Sequence, residues 1–151
     1  MRRAAVTHIT VEDLDRKAKK ITTLEKGGNQ HSYKISEQGF KAIEDYIKLE
    51  RPFDAEFYTS PILFLAARNT KNQSGAILPR QINRIWDEVC KRARIEGKTP
   101  HSARHAMGRH IQENTGNPEA VQKQLGHKNV AYSLGYARIT DSEMEKVLEN
   151  R

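Results

Sequence analysis

Two histidines, an arginine and a tyrosine near the C-terminus have side-chain types and spacings that could carry out chemistry. His101 and Arg104 are three residues apart, and Tyr136 follows His127 by nine residues. An imidazole exchanges protons near neutral pH, a guanidinium pairs with phosphate or carboxylate oxygens, and a phenol becomes a nucleophile when its proton is withdrawn. Together, these residues suit nucleophilic and acid–base chemistry on an anionic group.

The segment that carries the first pair has the pattern of a helix. This helix is predicted at residues 101–114, with Pro100 at its start, where the N–H that proline lacks would have no partner. At about 100° per residue, His101 and Arg104 lie close together on one side of the helix. The opposite, packing side is predicted to carry Ala103, Ala106, Met107 and Ile111.

Turn signals determine whether the second pair can share a site. A second helix is predicted at residues 118–125, and Gly126 ends it just before His127. Nine residues make about two and a half turns of a continuous helix, which would point His127 and Tyr136 in opposite directions. The chain must therefore turn at residues 126–129 if both side chains face one site.

The rest of the chain predicts a mainly α-helical fold with a small antiparallel β-sheet, the α+β class. Two short strands at residues 21–24 and 32–35 flank a turn that starts at Lys26 and contains glycines that permit positive φ. Ser36 is a suitable N-cap for a helix at residues 37–50.

A loop is predicted at residues 51–59, and further helices are predicted at residues 79–95 and after Asp141. The first of these helices is predicted to begin at Pro79 and to expose Arg80 and Gln81 in its first turn, where they could contact a phosphate or a base. Its packing stripe is predicted to consist of Ile82, Ile85, Trp86, Val89 and Ala93.

Composition and charge limit the kinds of protein that this chain can be. Its 151 residues suffice for one domain, with 36% hydrophobic and 30% charged residues. Lysine and arginine number 26 against 19 acidic residues, and the net charge of +7 favours a polyanionic partner. The chain has no apolar run of membrane-spanning length, no signal peptide and a single cysteine, Cys90. We therefore predict a cytoplasmic protein without membrane contact.

The sequence HSARH, followed by LGH and then by a tyrosine, resembles the catalytic core of the tyrosine recombinases, the phage integrase family of DNA strand-exchange enzymes. Three separated signatures agree in order and spacing. The resemblance assigns His101 and Arg104 to the family's H-x-x-R motif. It makes His127 the third-box histidine and Tyr136 the nucleophile, in preference to Tyr132, which lacks the family spacing.

The N-terminal half resembles the same family. In RRAAVTHITVEDLD the resemblance places the family's first arginine at Arg2, and in KKITTLEKGG it places the hairpin lysine at Lys26. One position departs from the pattern, because Ala5 stands where the family usually has an acidic residue, three positions after that arginine. The resemblance covers essentially the whole chain. It predicts a single integrase-type catalytic domain at residues 1–151, without the family's N-terminal helices and core-binding domain.

The resemblance implies site-specific breakage and rejoining of DNA. Tyr136 would attack a DNA phosphate and form a 3′-phosphotyrosyl intermediate, while Lys26 protonates the leaving 5′ oxygen. Arg2 and Arg104 would hold the non-bridging oxygens, and the two histidines would exchange protons with the phosphate or donate to it. The implied partner is double-stranded DNA, on which the family assembles as a tetramer, and the implied chemistry requires no cofactor and no metal.

Two other functions and a metal site are the alternatives. An integrase remnant would keep the fold and bind DNA without cleaving it, and a type IB topoisomerase would relax DNA by similar chemistry. His101 and His105, four residues apart on a helix, have the spacing of metal ligands. No H-E-x-x-H motif and no cysteine pair completes such a site, so no metal is predicted.

Overall fold

A computed structural model describes residues 1–25, 28–66 and 74–126 of the chain. Within these ranges the protein forms six helices and three strands. The helices are α1 (Arg3–Val6), α2 (Glu37–Leu49), α3 (Arg51–Ala55), α4 (Pro79–Arg92), α5 (Pro100–Thr115) and α6 (Pro118–Leu125). The strands are β1 (Leu14–Asp15), β2 (Lys20–Glu25) and β3 (Asn29–Lys34). The predicted mainly helical α+β class is confirmed.

By its contacts the chain divides into two compact units, residues 1–104 and 105–151, and the boundary falls inside α5. The first unit contains the sheet, helices α1 to α4 and the first turn of α5. The described part of the second unit contains the rest of α5 and helix α6. The single domain that the sequence indicates stays a prediction.

The sheet has the strand order β1-β2-β3, and all of its pairs are antiparallel. The predicted hairpin is confirmed by β2 and β3, which pair from Glu25 opposite Asn29 down to the other end of both strands. Alternation along β2 buries Ile21, Thr23 and Glu25. Tyr33 on β3 is buried opposite Ile21. A carboxylate and a phenol therefore lie on the buried face of the sheet.

The core of the first unit forms between this face and helix α2. Its fully buried centre consists of Ile9, Leu14, Ile21 and Leu63. Helix α2 begins at the predicted N-cap, where the Oγ of Ser36 accepts the backbone N–H of Gly39 at 3.2 Å. The residues of α2 that pack against the centre are Phe40, Ile43 and Ile47. This packing fixes the sheet, and with it the position of the hairpin.

The segment after α2 contains a short helix, so the loop predicted at residues 51–59 was only partly correct. Pro52 suits the first turn of α3, because the N–H that it lacks would have no partner there. The Arg51 guanidinium holds the segment by donating to the carbonyl oxygens of Ser60 at 2.9 Å and Ile62 at 2.8 Å. These bonds are long-range contacts that local sequence signals do not report.

The predicted packing stripe of α4 is buried only in part. Ile85 and Val89 are each 51% exposed, Ala93 is also exposed, and the buried residue of the helix is Cys90. The prediction was wrong because apolar periodicity identifies a face of a helix, not how much of that face its neighbours cover. Neither α4 nor any other described helix is long and apolar enough to cross a membrane.

Candidate active site

Arg2 lies immediately before α1 and is held by its main chain and by its side chain. Its carbonyl oxygen accepts the backbone N–H groups of Ala5 at 3.0 Å and Val6 at 3.3 Å. Its guanidinium forms an ion pair with Glu25, in which Nη1 donates to Oε2 at 2.5 Å. The Arg2 side chain is 46% exposed, whereas the Glu25 side chain is 6% exposed. The ion pair therefore joins a solvent-facing guanidinium to a buried carboxylate.

The carboxylate of Glu25 uses both of its oxygens. Oε2 receives the bond from Arg2, and Oε1 accepts a hydrogen bond from the Tyr33 hydroxyl. Burial alone would raise the pKa of Glu25, but the hydrogen bonds from Tyr33 and Arg2, with the charge of Arg2, lower this pKa below its ordinary value of 4.5. Glu25 is therefore ionised at neutral pH.

Tyr33 connects this carboxylate to Arg104. Burial, and then the hydrogen bond to Glu25, raise the pKa of Tyr33 to about 12, while a hydrogen bond from Arg104 acts in the opposite direction. The hydroxyl therefore stays protonated, so that it donates to Glu25 and accepts from Arg104. Arg2, Glu25, Tyr33 and Arg104 form one network in that order, and it brings together two guanidiniums from the two ends of the first unit.

Arg104 lies on the buried side of α5, which contradicts the predicted orientation of this helix. It is 8% exposed, and Gly108, one turn later, is also buried. Ala106 and Met107, which were predicted to pack, are exposed. The prediction was wrong because it treated Arg104 as a surface residue, whereas a guanidinium with a hydrogen-bond partner such as the Tyr33 hydroxyl can be buried.

A cleft of about 690 Å³ opens beside the two arginines of this network. The polar residues that line it are Arg2, Arg3, Asn83, Asp87, Thr99, His101 and Arg104. Arg3 reaches helix α4, where its Nη1 donates to the Oδ1 of Asn83 at 2.8 Å. His101 is exposed in the first turn of α5 and adds an imidazole to the lining. Because the lining holds more basic than acidic side chains, the cleft favours anions.

Comparison with known protein families assigns the chain to one of them. The model of the phage integrase family matches residues 1–143, a span that contains the whole network and the cleft. The chain belongs to the phage integrase family. The family that the sequence motifs indicate is thereby confirmed.

Curated relatives of this phage integrase family chain are tyrosine recombinases. The tyrosine recombinase XerC of Shewanella amazonensis is 26% identical over 149 residues, which cover 99% of this chain and 48% of the relative. The tyrosine recombinase XerD of Staphylococcus epidermidis is 28% identical over 149 residues, and the aligned region covers 97% of this chain and 48% of XerD. The chain therefore spans about half the length of the curated relatives that it matches.

Solved structures of similar fold come from the same group of proteins. The XerA recombinase superposes with a TM-score of 0.76 at 22% identity, over 98% of this chain and 52% of that one. XerH bound to a palindromic difH substrate, in a post-cleavage complex, superposes with a TM-score of 0.75 at 16% identity. The match covers 99% of this chain and 42% of the XerH chain. The Tn1549 transposon integrase in complex with a circular intermediate DNA superposes with a TM-score of 0.72 at 17% identity. The match covers 100% of this chain and 55% of the integrase chain. These similarities confirm the integrase-type fold.

Three of the six site residues that the integrase resemblance implies are located by the structure. Arg2, His101 and Arg104 line the same cleft. The other three lie outside the described residues: Lys26, His127 and Tyr136. The hairpin is described on both sides of Lys26, where the N–H of Gly28 donates to the Glu25 carbonyl oxygen at 3.1 Å. Gly28 has the positive φ, 74°, that the glycines of this turn predict.

The two residues predicted to contact DNA differ in their surroundings. Arg80 is exposed at the start of α4. Gln81 is partly buried, and its Oε1 accepts the backbone N–H of Leu78 at 2.8 Å, so the prediction that Gln81 is exposed was wrong. Its side chain satisfies an N–H at the start of the helix, which is a structural use that the sequence did not reveal.

The two middle members of the network were not predicted from the sequence. Glu25 and Tyr33 carry no recognisable motif, and their partners Arg2 and Arg104 are distant in sequence. The available signal was strand alternation, because Ile21, Thr23 and Glu25 fall on one face of β2 and a glutamate on a buried face needs a cationic partner.

The arrangement is suited to holding a tetrahedral oxyanion. Two guanidiniums in a fixed network can donate to phosphate oxygens, and the exposed imidazole of His101 can donate to an oxygen or exchange a proton. Among the described residues, no group of three histidine, cysteine or acidic side chains is placed to hold a metal ion.

Proposed function

We propose that this chain is the catalytic domain of a tyrosine recombinase, spanning residues 1–151, that breaks and rejoins DNA through a 3′-phosphotyrosyl intermediate. The observation that carries the proposal is the network that holds Arg2 and Arg104 at one cleft together with His101. The family membership and the spacing of Tyr136 from His127 support it.

The two arginines would stabilise the charge that develops on the phosphate in the transition state. Negative charge grows on the non-bridging oxygens as the nucleophile approaches, and donors that already point at those oxygens need no reorganisation. The burial of Arg104 strengthens its interaction with an oxyanion, because the effective dielectric constant is lower there than in water. Arg2, which is half-exposed, would meet the phosphate from the solvent side of the cleft.

The reaction would transfer one phosphoryl group between two oxygens. Tyr136 loses its proton and its oxygen forms a bond to phosphorus, while the bond from phosphorus to the 5′ oxygen breaks. Lys26 would give a proton to that departing oxygen, and His101 or His127 would accept the phenol proton or donate to the phosphate. A 5′ hydroxyl reverses the sequence and restores the phosphodiester, so the reaction needs no ATP.

Double-stranded DNA is the proposed partner, and a tetramer on two DNA sites is the proposed assembly. The net charge of +7 and the basic cleft support DNA binding, since each neutralised phosphate releases counterions. The similar structures of XerH and the Tn1549 integrase contain a difH substrate and a circular intermediate DNA, respectively. A DNA-associated, cytoplasmic location follows from this partner.

A covalent-trapping experiment tests the proposal. The 151-residue chain is incubated with a pool of nicked duplexes of randomised sequence, in which the strand that would remain bound is labelled at its 5′ end. We expect a labelled, SDS-resistant protein–DNA adduct with the wild type. Tyr136→Phe should form none, and Tyr132→Phe, which replaces the neighbouring tyrosine, should form as much as the wild type.

The other outcomes identify the alternatives. A protein that shifts DNA in a native gel but forms no adduct would be a DNA-binding remnant, and the proposal would be wrong. Relaxation of supercoiled plasmid that depends on Tyr136, without strand exchange between duplexes, would indicate a topoisomerase instead.

A further inference from the structure

The network contains a carboxylate, although the position that the family pattern would assign to one holds alanine. Ala5, three residues after Arg2, is buried, and its methyl group accepts no hydrogen bond. The carboxylate of the network comes instead from Glu25, which lies at the end of β2. A different element of the chain therefore provides the anionic partner of the first arginine.

We infer that Glu25 is the positioning residue for both arginines of the site, acting on Arg2 directly and on Arg104 through the Tyr33 hydroxyl. The inference rests on the proposed function, because it states what the network does for cleavage. It assigns a role to a residue that carries no catalytic motif and does not itself reach the cleft lining.

The geometry of Arg2 explains why a positioning residue is needed. An arginine side chain has several rotatable bonds, and that of Arg2 is half-exposed, so it would sample many rotamers without a fixed partner. The bond of 2.5 Å to Glu25 ties one end of its guanidinium to a buried atom. The planar guanidinium has five N–H donors, so this bond leaves others for a phosphate. Glu25 thus limits the direction in which those donors point.

The environment of Glu25 explains how a negatively charged carboxylate can lie close to a cleft that binds an anion. A carboxylate with a free oxygen facing the cleft would repel a phosphate. Both oxygens of Glu25 are occupied, one by Arg2 and the other by Tyr33, and the side chain is buried. Its charge is therefore directed at the guanidinium and not at the cleft.

The position of Glu25 in the sequence links the arginines to the hairpin turn. Glu25 is the last residue of β2, and Lys26, the proposed proton donor, directly follows it. The backbone of Glu25 also closes the turn, because its carbonyl oxygen accepts the N–H of Gly28 at 3.1 Å. A displacement of Glu25 would therefore disturb both the arginines and the hydrogen bond between Glu25 and Gly28.

The rate of adduct formation with the nicked duplex pool gives the first test. Glu25→Gln keeps the size of the side chain but removes its charge, and we expect the rate to fall about 10- to 100-fold, as for a small misplacement of a reacting group. Glu44→Gln is the matched control, because it breaks the ion pair with Arg16, whose Nε donates to Oε1 at 3.0 Å, away from the network. This variant should react at the wild-type rate.

Repeating the Glu25→Gln substitution in an Arg2→Lys variant separates an effect on the arginines from a general effect on the fold. In Arg2→Lys, which is itself slower, the additional change Glu25→Gln should reduce the rate by a smaller factor than in the wild type, because only the effect of Glu25 on Arg104 through Tyr33 remains. The same loss in both backgrounds would show that Glu25 only stabilises the fold and would overturn the inference. If Glu25→Gln does not fold, Glu25→Asp keeps the charge but shortens the reach, and an unchanged rate in that variant would also overturn it.

A measurement without DNA keeps the inference separate from the proposed function. In ¹⁵N spectra of arginine side chains, the Nη signals of Arg2 should be separately resolved in the wild type and averaged in Glu25→Gln, because rotation of the guanidinium is no longer hindered. Resolved signals in both proteins would contradict the inference. If the wild type forms no adduct while Arg2 is ordered by Glu25, the proposed function fails and the positioning stands. If Glu25→Gln reacts at the wild-type rate, the positioning fails and the function stands.

Discussion

The Arg104 guanidinium donates a hydrogen bond to the hydroxyl of Tyr33, and this hydrogen bond joins the first turn of α5 to strand β3. Because the phenol is neutral at physiological pH, the bond fixes the guanidinium without cancelling its charge. Tyr33 in turn donates to Glu25, which also holds Arg2. The two arginines are therefore positioned by one chain of contacts.

Removing the Tyr33 hydroxyl should slow cleavage while leaving the fold intact. Tyr33→Phe removes one hydrogen bond to Arg104 and one to Glu25, and we expect the rate of adduct formation to fall about fivefold, equivalent to ~1 kcal/mol. Tyr46→Phe is the matched control, because its hydroxyl accepts the backbone N–H of Leu65 at 3.1 Å. It should cost about 1–3 kcal/mol of unfolding free energy, since that N–H loses its partner, and should leave the rate unchanged. Equal rates for Tyr33→Phe and Tyr46→Phe would contradict this account.

The contribution of Glu25 to stability should depend on pH in one direction. Its pKa in the folded protein lies below its ordinary value of 4.5, so folding favours the ionised form. The stabilisation is present above pH 4.5 and is lost as the pH falls through the folded-state pKa. The difference in unfolding free energy between wild type and Glu25→Gln, measured with urea, should therefore shrink between about pH 6 and about pH 3. A difference that stays constant over this range would show that the charge of Glu25 does not stabilise the fold.

Two glycines with nearly the same positive φ should differ in their tolerance of a side chain. Gly75 has a φ of 68° and Gly97 a φ of 67°. A Cβ at Gly75 would lie 2.6 Å from the Cγ of Tyr58, whereas a Cβ at Gly97 would meet no atom within 4 Å. Gly97→Ala should cost about 1–2 kcal/mol from backbone strain. Gly75→Ala should cost roughly 1–3 kcal/mol more from overpacking, and equal midpoints in urea unfolding would contradict the contact with Tyr58.

Adjacent residues at the start of α4 should affect DNA binding differently. Arg80 is exposed, and Arg80→Ala should weaken binding to a duplex and reduce the slope of log K against log salt by about one, as for the loss of one phosphate contact. Gln81→Ala should leave this slope unchanged, because the Gln81 oxygen accepts the N–H of Leu78 within the protein. It should instead reduce stability by about 1 kcal/mol. Unchanged slopes in both variants would exclude Arg80 from the interface.

The sequence predicted those elements whose ends depend on local chemistry. Ser36 caps α2 and Gly126 ends α6 in the left-handed conformation, as predicted from residues whose effect is confined to a few neighbouring positions. The hairpin was also predicted, because its glycine-containing turn and its two strands are neighbours in the chain. The family motif at His101 and Arg104 is similarly local.

Features that depend on distant partners could not be predicted in the same way. The burial of Arg104 depends on contacts such as that with Tyr33, which is far from it in sequence. Apolar periodicity therefore chose the wrong face of α5. Glu25 was missed for the same reason, since nothing near it in sequence indicates that Arg2 is its partner.

The proposed function requires that Tyr136, and no other residue, becomes covalently attached to DNA. The most direct measurement is to trim the trapped adduct with nuclease, digest the protein with a protease, and locate the remaining nucleotide by mass spectrometry. We predict a single modified peptide in which the 3′ phosphate is attached to the Tyr136 oxygen. A nucleotide on Tyr132 or on any other residue, or an adduct that persists in Tyr136→Phe, would contradict the account.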